Sequence, residues 1–111
     1  SLQNGIGDGG EGDGGFDFGQ RFNDGLQAML HGSELEQFKL LDESITNLFN
    51  SLYNELPQQL DGSENDFELS TKVNTVVAAA VNGDTTINND IKQPLIDSLT
   101  TQTTSLLNDL R

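Results

Sequence analysis

"SELEQFKLLDESITNLFNSLYNELP", spanning Ser33–Pro57, carries the longest helical periodicity in the chain. Leu35, Phe38, Leu41, Ile45, Leu48, Leu52 and Leu56 recur at steps of three and four, which places them on one face of an α-helix. Phe49 and Tyr53 widen that face. A stripe this broad needs two packing neighbours, so it predicts a bundle and not a two-stranded coiled coil. The stretch opens on "SELE", a capping-box pattern in which Ser33 accepts a first-turn N–H while Glu36 reaches back to the Ser33 N–H. Pro57 disfavours helical backbone at Leu56, so the helix is predicted to end there.

Three more helices follow on working outward. Phe18, Phe22, Leu26, Met29 and Leu30 predict one over 17–31. Gly19 and Gly25 weaken it by about 1 kcal/mol each relative to Ala, and Gly32 is a stop signal. "PQQLDGSEND" reads as a loop with an Asp-Gly turn. A further helix over 66–82 carries Phe67, Val73, Val76, Val77, Ala80 and Val81 on its apolar side and stops at Gly83. Its "VVAAAV" run is also compatible with a buried strand, but no partner strand is visible elsewhere. Ile87, Ile91, Leu95, Leu99, Thr103 and Leu106 continue through Leu107 to Leu110 as a last helix, which begins near Ile91 or kinks at Pro94. Short connections make successive helices antiparallel. The expected fold is all-α: a small four-helix up-and-down bundle over 16–111, preceded by a flexible, acidic, Gly-rich N-terminal arm over 1–15.

The arm shades into "GIGDGGEGDGGFDF" at Gly5–Phe18, which holds seven glycines, four acids and no base. Glycine maximises backbone entropy and the acids repel one another, so this stretch does not bury a core. As a calcium-binding nonapeptide it has a single copy, with Asp13 one residue early. As a phosphate loop it lacks a lysine and presents the wrong charge. Two later stretches have partial calcium-loop spacing. At Asp61–Lys72 the required glycine is Asp66 and the closing acid is Lys72; around Asn82–Asp90 the first ligand position is Ala80 and the glycine is Thr85. Helix-capping turns account for both, and no metal site or cofactor is expected.

Charge and composition exclude several functions. Eighteen acids against five bases give a formal net charge of -13. That surface repels phosphate, so nucleic acid is excluded as a partner, and no run is long enough to span a membrane. The absence of cysteine removes disulfides, thiolate zinc and cysteine nucleophiles. His31 is the sole histidine, at a predicted helix end, and no nucleophile motif frames any of the serines. The expectation is a secreted, non-enzymatic helical protein that binds another protein with a basic surface. The Ser1 start is read as that of a processed or excised chain, and there is no Asn-x-Ser/Thr acceptor for sugar.

The candidate partner-binding residues are Asp8, Glu11, Asp13, Phe16, Asp17 and Phe18: the acids steer and the rings anchor. The rings serve equally as the end of the core. An alternative is a bundle that binds a fatty acid or another apolar small molecule or hydrophobic surface. Its lining would be Phe38, Leu41, Ile45, Leu48, Leu52, Val73, Val76, Val77, Ala80, Leu95, Leu99 and Leu106. A third reading is a structural domain that self-associates near its sequence pI of about 4.1.

Overall fold

The computed structural model describes residues 19–110, so the acidic arm and its candidate contacts lie outside the described residues. Apolar residues at helical spacing produce α1 (Gly19–Leu30), the single turn α2 (Ser33–Glu36), α3 (Asp42–Gln59), α4 (Asp66–Asn82) and α5 (Asn89–Leu110). No described residue is in a strand, and "VVAAAV" is helical within α4. The fold is a small all-α four-helix bundle.

The helices form a ring in which each long helix touches two neighbours: α1 meets α3 and α5, and α4 meets α3 and α5. The seam between α1 and α5 is antiparallel by its own contacts. Arg21 donates to the Asp109 carbonyl at 3.5 Å, Gly25 lies under Leu106, and the Thr103 hydroxyl donates to Met29 Sδ at 3.4 Å. A Cβ at Gly25 would come within 2.3 Å of Leu106 Cδ1, so the glycine admits the leucine there. Phe22 stacks on Tyr53 with centroids 5.8 Å apart, and Tyr53 on Phe49 at 5.4 Å, which joins α1 to the later half of α3. Phe22, Leu26, Leu48, Leu52, Leu56, Leu69, Val73, Val77, Leu95, Leu99 and Leu107 are all essentially inaccessible to solvent and form one core.

The Ser33–Leu56 stripe is not one helix. Gln37–Leu41 interrupts it, and Lys39 takes a left-handed backbone with φ 53°. Length explains the break. An unbroken helix from Ser33 to Gln59 would run about 40 Å, whereas the 17-residue α4 beside it spans about 26 Å. Leu35 would project past the bundle. With the break, α2 turns back across α1 and α5, and Leu35 is only 3% exposed. The register of the stripe shifts as a result: Leu40 packs against the core and Leu41 is 60% exposed.

The predicted capping box at Ser33 and Glu36 is not formed, because Gly32 occupies the N-cap position without a side-chain bond. The box lies instead at Asn65 and Glu68, where each side chain accepts the other residue's backbone N–H, at 2.8 and 3.0 Å. Phe67, placed on the apolar side of this helix by periodicity, is 77% exposed. Pro57 does not end α3 at Leu56. Its ring faces solvent, two more residues remain helical, and the Leu60 N–H returns to the Leu56 carbonyl at 3.1 Å. α5 begins earlier than Ile91 and runs through the exposed Pro94, while Ile87 is buried ahead of the helix.

Because the Lys39 side chain is exposed and its φ is positive, Lys39→Gly should raise the urea-unfolding free energy by about 1 kcal/mol, whereas Lys39→Val should lower it. A glycine that destabilises would show that backbone strain at this break is negligible.

Candidate functional site

Polar residues at helical spacing form a second face of α3. Glu43, Asn47, Asn50 and Ser51 sit at intervals of four, three and one, away from the Leu48–Leu52–Leu56 ridge. Across from them, α4 ends in small residues, Ala79, Ala80 and Gly83, and the chain then turns through Asp84, Thr85 and Thr86. The short side chains on one wall and the polar ones on the other leave an open groove of about 440 Å³.

Asp84 organises the turn below this groove. Its Oδ1 accepts the Thr86 N–H at 2.9 Å and the Thr86 hydroxyl at 2.5 Å. The Thr86 proton is thereby committed, so Ser44 Oγ, buried in the first turn of α3, donates to Thr86 Oγ1. This chain fastens the α4–α5 turn to the start of α3. Asn88 Oδ1 then accepts the Asp90 N–H at 2.8 Å and caps α5. The other carboxylate oxygen, Asp84 Oδ2, is buried, and the Asn47 side-chain amide also hydrogen-bonds the carboxylate. Burial pushes the Asp84 carboxyl up, but the Thr86 hydrogen bonds, the neighbouring Asn47 amide and the Lys92 charge outweigh it and hold it below its ordinary value. Asp84 is therefore ionised at neutral pH, although only 7% exposed.

A second buried carboxylate makes the contrast clear. Glu64, between α3 and α4, accepts the Asp61 and Gly62 N–H groups at 2.9 and 3.1 Å and the Lys72 ammonium at 2.8 Å. Gly62 has φ 90°, which the tight turn around this carboxylate requires. Burial raises Glu64, and the Lys72 and backbone donors more than reverse the shift. Both Glu64 oxygens are occupied, so this group is a structural latch.

The sequence-derived candidates fall in three places. Asp8, Glu11, Asp13, Phe16, Asp17 and Phe18 lie outside the described residues. Leu48, Leu52, Val73, Val76, Val77, Leu95 and Leu99 are buried in the core, with Phe38, Ile45 and Leu106 half-buried against it. Leu41 faces solvent and does not line the interior, and Ala80 borders the polar groove. A smaller groove of about 160 Å³ lies by Leu30, His31, Lys39 and Ile45 at the turn between α1 and α3. Among the described residues no group of three His, Asp or Glu side chains converges as a metal site, and no helix is long and apolar enough to cross a membrane. Periodicity did not single out Asp84, Glu43, Asn47 or Asn50. The local signals available were the Asp-x-Thr turn pattern and the polar stripe itself. Comparison with known protein families, curated proteins and solved structures gives no match to this chain.

The two lowered carboxyls predict an acid limb in stability. The folded state holds their protons more weakly than the unfolded state does. Their contribution is therefore complete above the ordinary carboxylate range and is lost as pH falls below about 4, through their lowered folded values. Urea midpoints measured from pH 7 to 2 should fall on that limb, and Glu64→Gln and Asp84→Asn should each flatten it. Unchanged acid limbs in both variants would mean that neither carboxylate is coupled to folding.

Proposed function

We propose that the protein is a non-enzymatic helical binding protein whose partner is a protein with a basic surface. The observation that carries this reading is charge: five bases cannot neutralise eighteen acids, and the net charge of -13 is spread over a chain of 111 residues. Such a field attracts cationic surfaces and raises the rate of productive encounter. The bundle adds a rigid shape. Its open polar groove is bordered by Glu43 and Asp84, so acid character continues from the N-terminal sequence onto the folded surface. The role of the arm is steering, with Asp8, Glu11, Asp13 and Asp17 as the charges and Phe16 and Phe18 as anchors. Apart from the solvent-facing Leu41, the residues that would line a fatty-acid site are used in packing the helices against one another, which favours the protein-partner reading over the apolar-ligand one.

The test immobilises the full chain, and in parallel a chain lacking Ser1–Gly15, and elutes captured proteins with rising salt. The full chain should retain basic proteins that leave between low and physiological salt, with weaker retention and a flatter salt dependence on the shortened chain. Equal retention on both would remove the arm as a tether. Retention indifferent to both partner charge and salt, or lipid recovered from the purified protein by solvent extraction, would count against the basic-partner reading.

A further inference from the structure

We infer that the ring of Phe18, the residue just ahead of the described bundle, docks on the Tyr53–Pro57 stripe of α3 and is held there in the free protein. The docking is independent of the basic-partner reading. What it does to a partner rests on that reading.

Phe49, Tyr53 and Pro57 recur at steps of four and form one stripe along α3. The first half of the stripe is covered by rings. Tyr53 stacks on Phe49 at 5.4 Å and on Phe22 of α1 at 5.8 Å, with interplanar angles of 16° and 13°. The second half is not covered in this way: Tyr53 remains 40% exposed and Pro57 faces solvent. α1 passes the stripe antiparallel, because Phe22 near its start meets Tyr53 late in α3, whereas Leu30 at its end lies with Ile45 early in α3. A step backwards along α1 is therefore a step towards Pro57. One turn before Phe22 is Phe18, about 6 Å along the axis, and one turn beyond Tyr53 is Pro57, about the same distance on. The next ring of α1 thus falls beside the next ring of α3.

Chain connectivity selects this occupant. Phe18 is bonded to Gly19, so the two Cα atoms are about 3.8 Å apart and the ring cannot leave this end of the bundle. Phe67, the other strongly exposed ring, belongs to α4, which α1 does not touch. The local sequence also supplies the turn that carries the ring. Asp17 has a side chain preferred at an N-cap, and with Asp17 as the cap Phe18 is the first residue of the helix. An acid at that position meets the positive end of α1, whose first described turn holds no acid of its own.

The ring is thereby occupied before a partner arrives. A basic surface can pair with Asp8, Glu11 and Asp13 without disturbing the bundle. It gains Phe18 only by offering an apolar pocket that binds the ring more tightly than Tyr53 and Pro57 do. The docked ring therefore separates a merely basic surface from one that has a pocket beside its charge.

Tyr53 is the sole tyrosine and the chain has no tryptophan, so tyrosine emission reads this site alone. NMR of the full-length protein should show cross-relaxation between the Phe18 ring and the side chains of Tyr53 and Pro57, unchanged on dilution. Phe18→Ala should raise acrylamide quenching of Tyr53 about twofold, since an aromatic side chain buries about 150–250 Å², whereas Phe16→Ala should leave it unchanged. Absence of cross-relaxation in the wild type, or equal quenching in the two variants, would overturn the docking. Cross-relaxation that fades on dilution would give the stripe to the ring of a second copy and overturn it too. The wild-type spectrum requires no substitution, so a folding defect in Phe18→Ala does not blunt the test. Weaker retention of basic proteins on immobilised Phe18→Ala than on the wild type would support transfer of the ring to a partner, and equal retention would overturn the transfer while the docking stands. A docked ring in a chain that captures no basic protein would remove the basic-partner reading and leave the docking intact.

Discussion

The fold depends on closing the first helix against the last. α1 has 12 residues, two of them glycines, and alone it is below the length at which helices persist in water. Its stability comes from burying Phe22, Leu26, Met29 and Leu30 against α3 and α5. Gly25 acts in both directions: it weakens the helix locally, yet it lets Leu106 come close enough for the seam to shut. Phe22 then reaches Tyr53, and the ring is complete. Remove this seam and the apolar faces of α3 and α5 that point towards α1 are left open to water.

Helical period made most of the architecture legible. The range predicted for α4 coincides with the observed Asp66–Asn82, and Leu95, Leu99 and Thr103 are buried as their spacing requires. The division of the central stripe was not legible, because local spacing carries no information about the length of neighbouring helices. Leu41 keeps perfect period with Phe38 and Ile45, yet only the dimensions of the bundle decide that the chain must turn before it. Pro57 misled for a related reason. It removes the N–H that would reach the Tyr53 carbonyl, but its ring and Tyr53 are both exposed to solvent, and beyond it the Leu60 N–H still returns to the Leu56 carbonyl, so one lost bond does not end the helix.

The groove was harder to read than the core. Glu43, Asn47 and Asn50 belong to one helix and Asp84 to a turn more than thirty residues later, so their meeting is tertiary. What could be read was that polar residues cluster where the chain must turn. The two inter-helix turns solve the same problem with different degrees of completeness. Glu64 gathers backbone donors and Lys72 until its charge is fully compensated. Asp84 gathers Thr86, through it Ser44, and the Asn47 side chain, but has no cation hydrogen-bonded to it. The difference is tolerable because the ionised form of Asp84 is already favoured by its neighbours.

The antiparallel run of α1 past α5 also determines how the molecule responds to load. Arg21 meets Asp109, so the chain enters and leaves the described bundle at the same end. Force applied between the two termini therefore peels the α1–α5 seam like a zipper and does not shear it. The contact at Arg21 and Asp109 carries the load first, then Gly25 with Leu106, then Met29 with Thr103. Each opens before the next is strained, so the protein yields at low force along this line. The Asp84 turn lies where α4 ends and α5 begins, towards the opposite end, and is the last of these features to feel the pull.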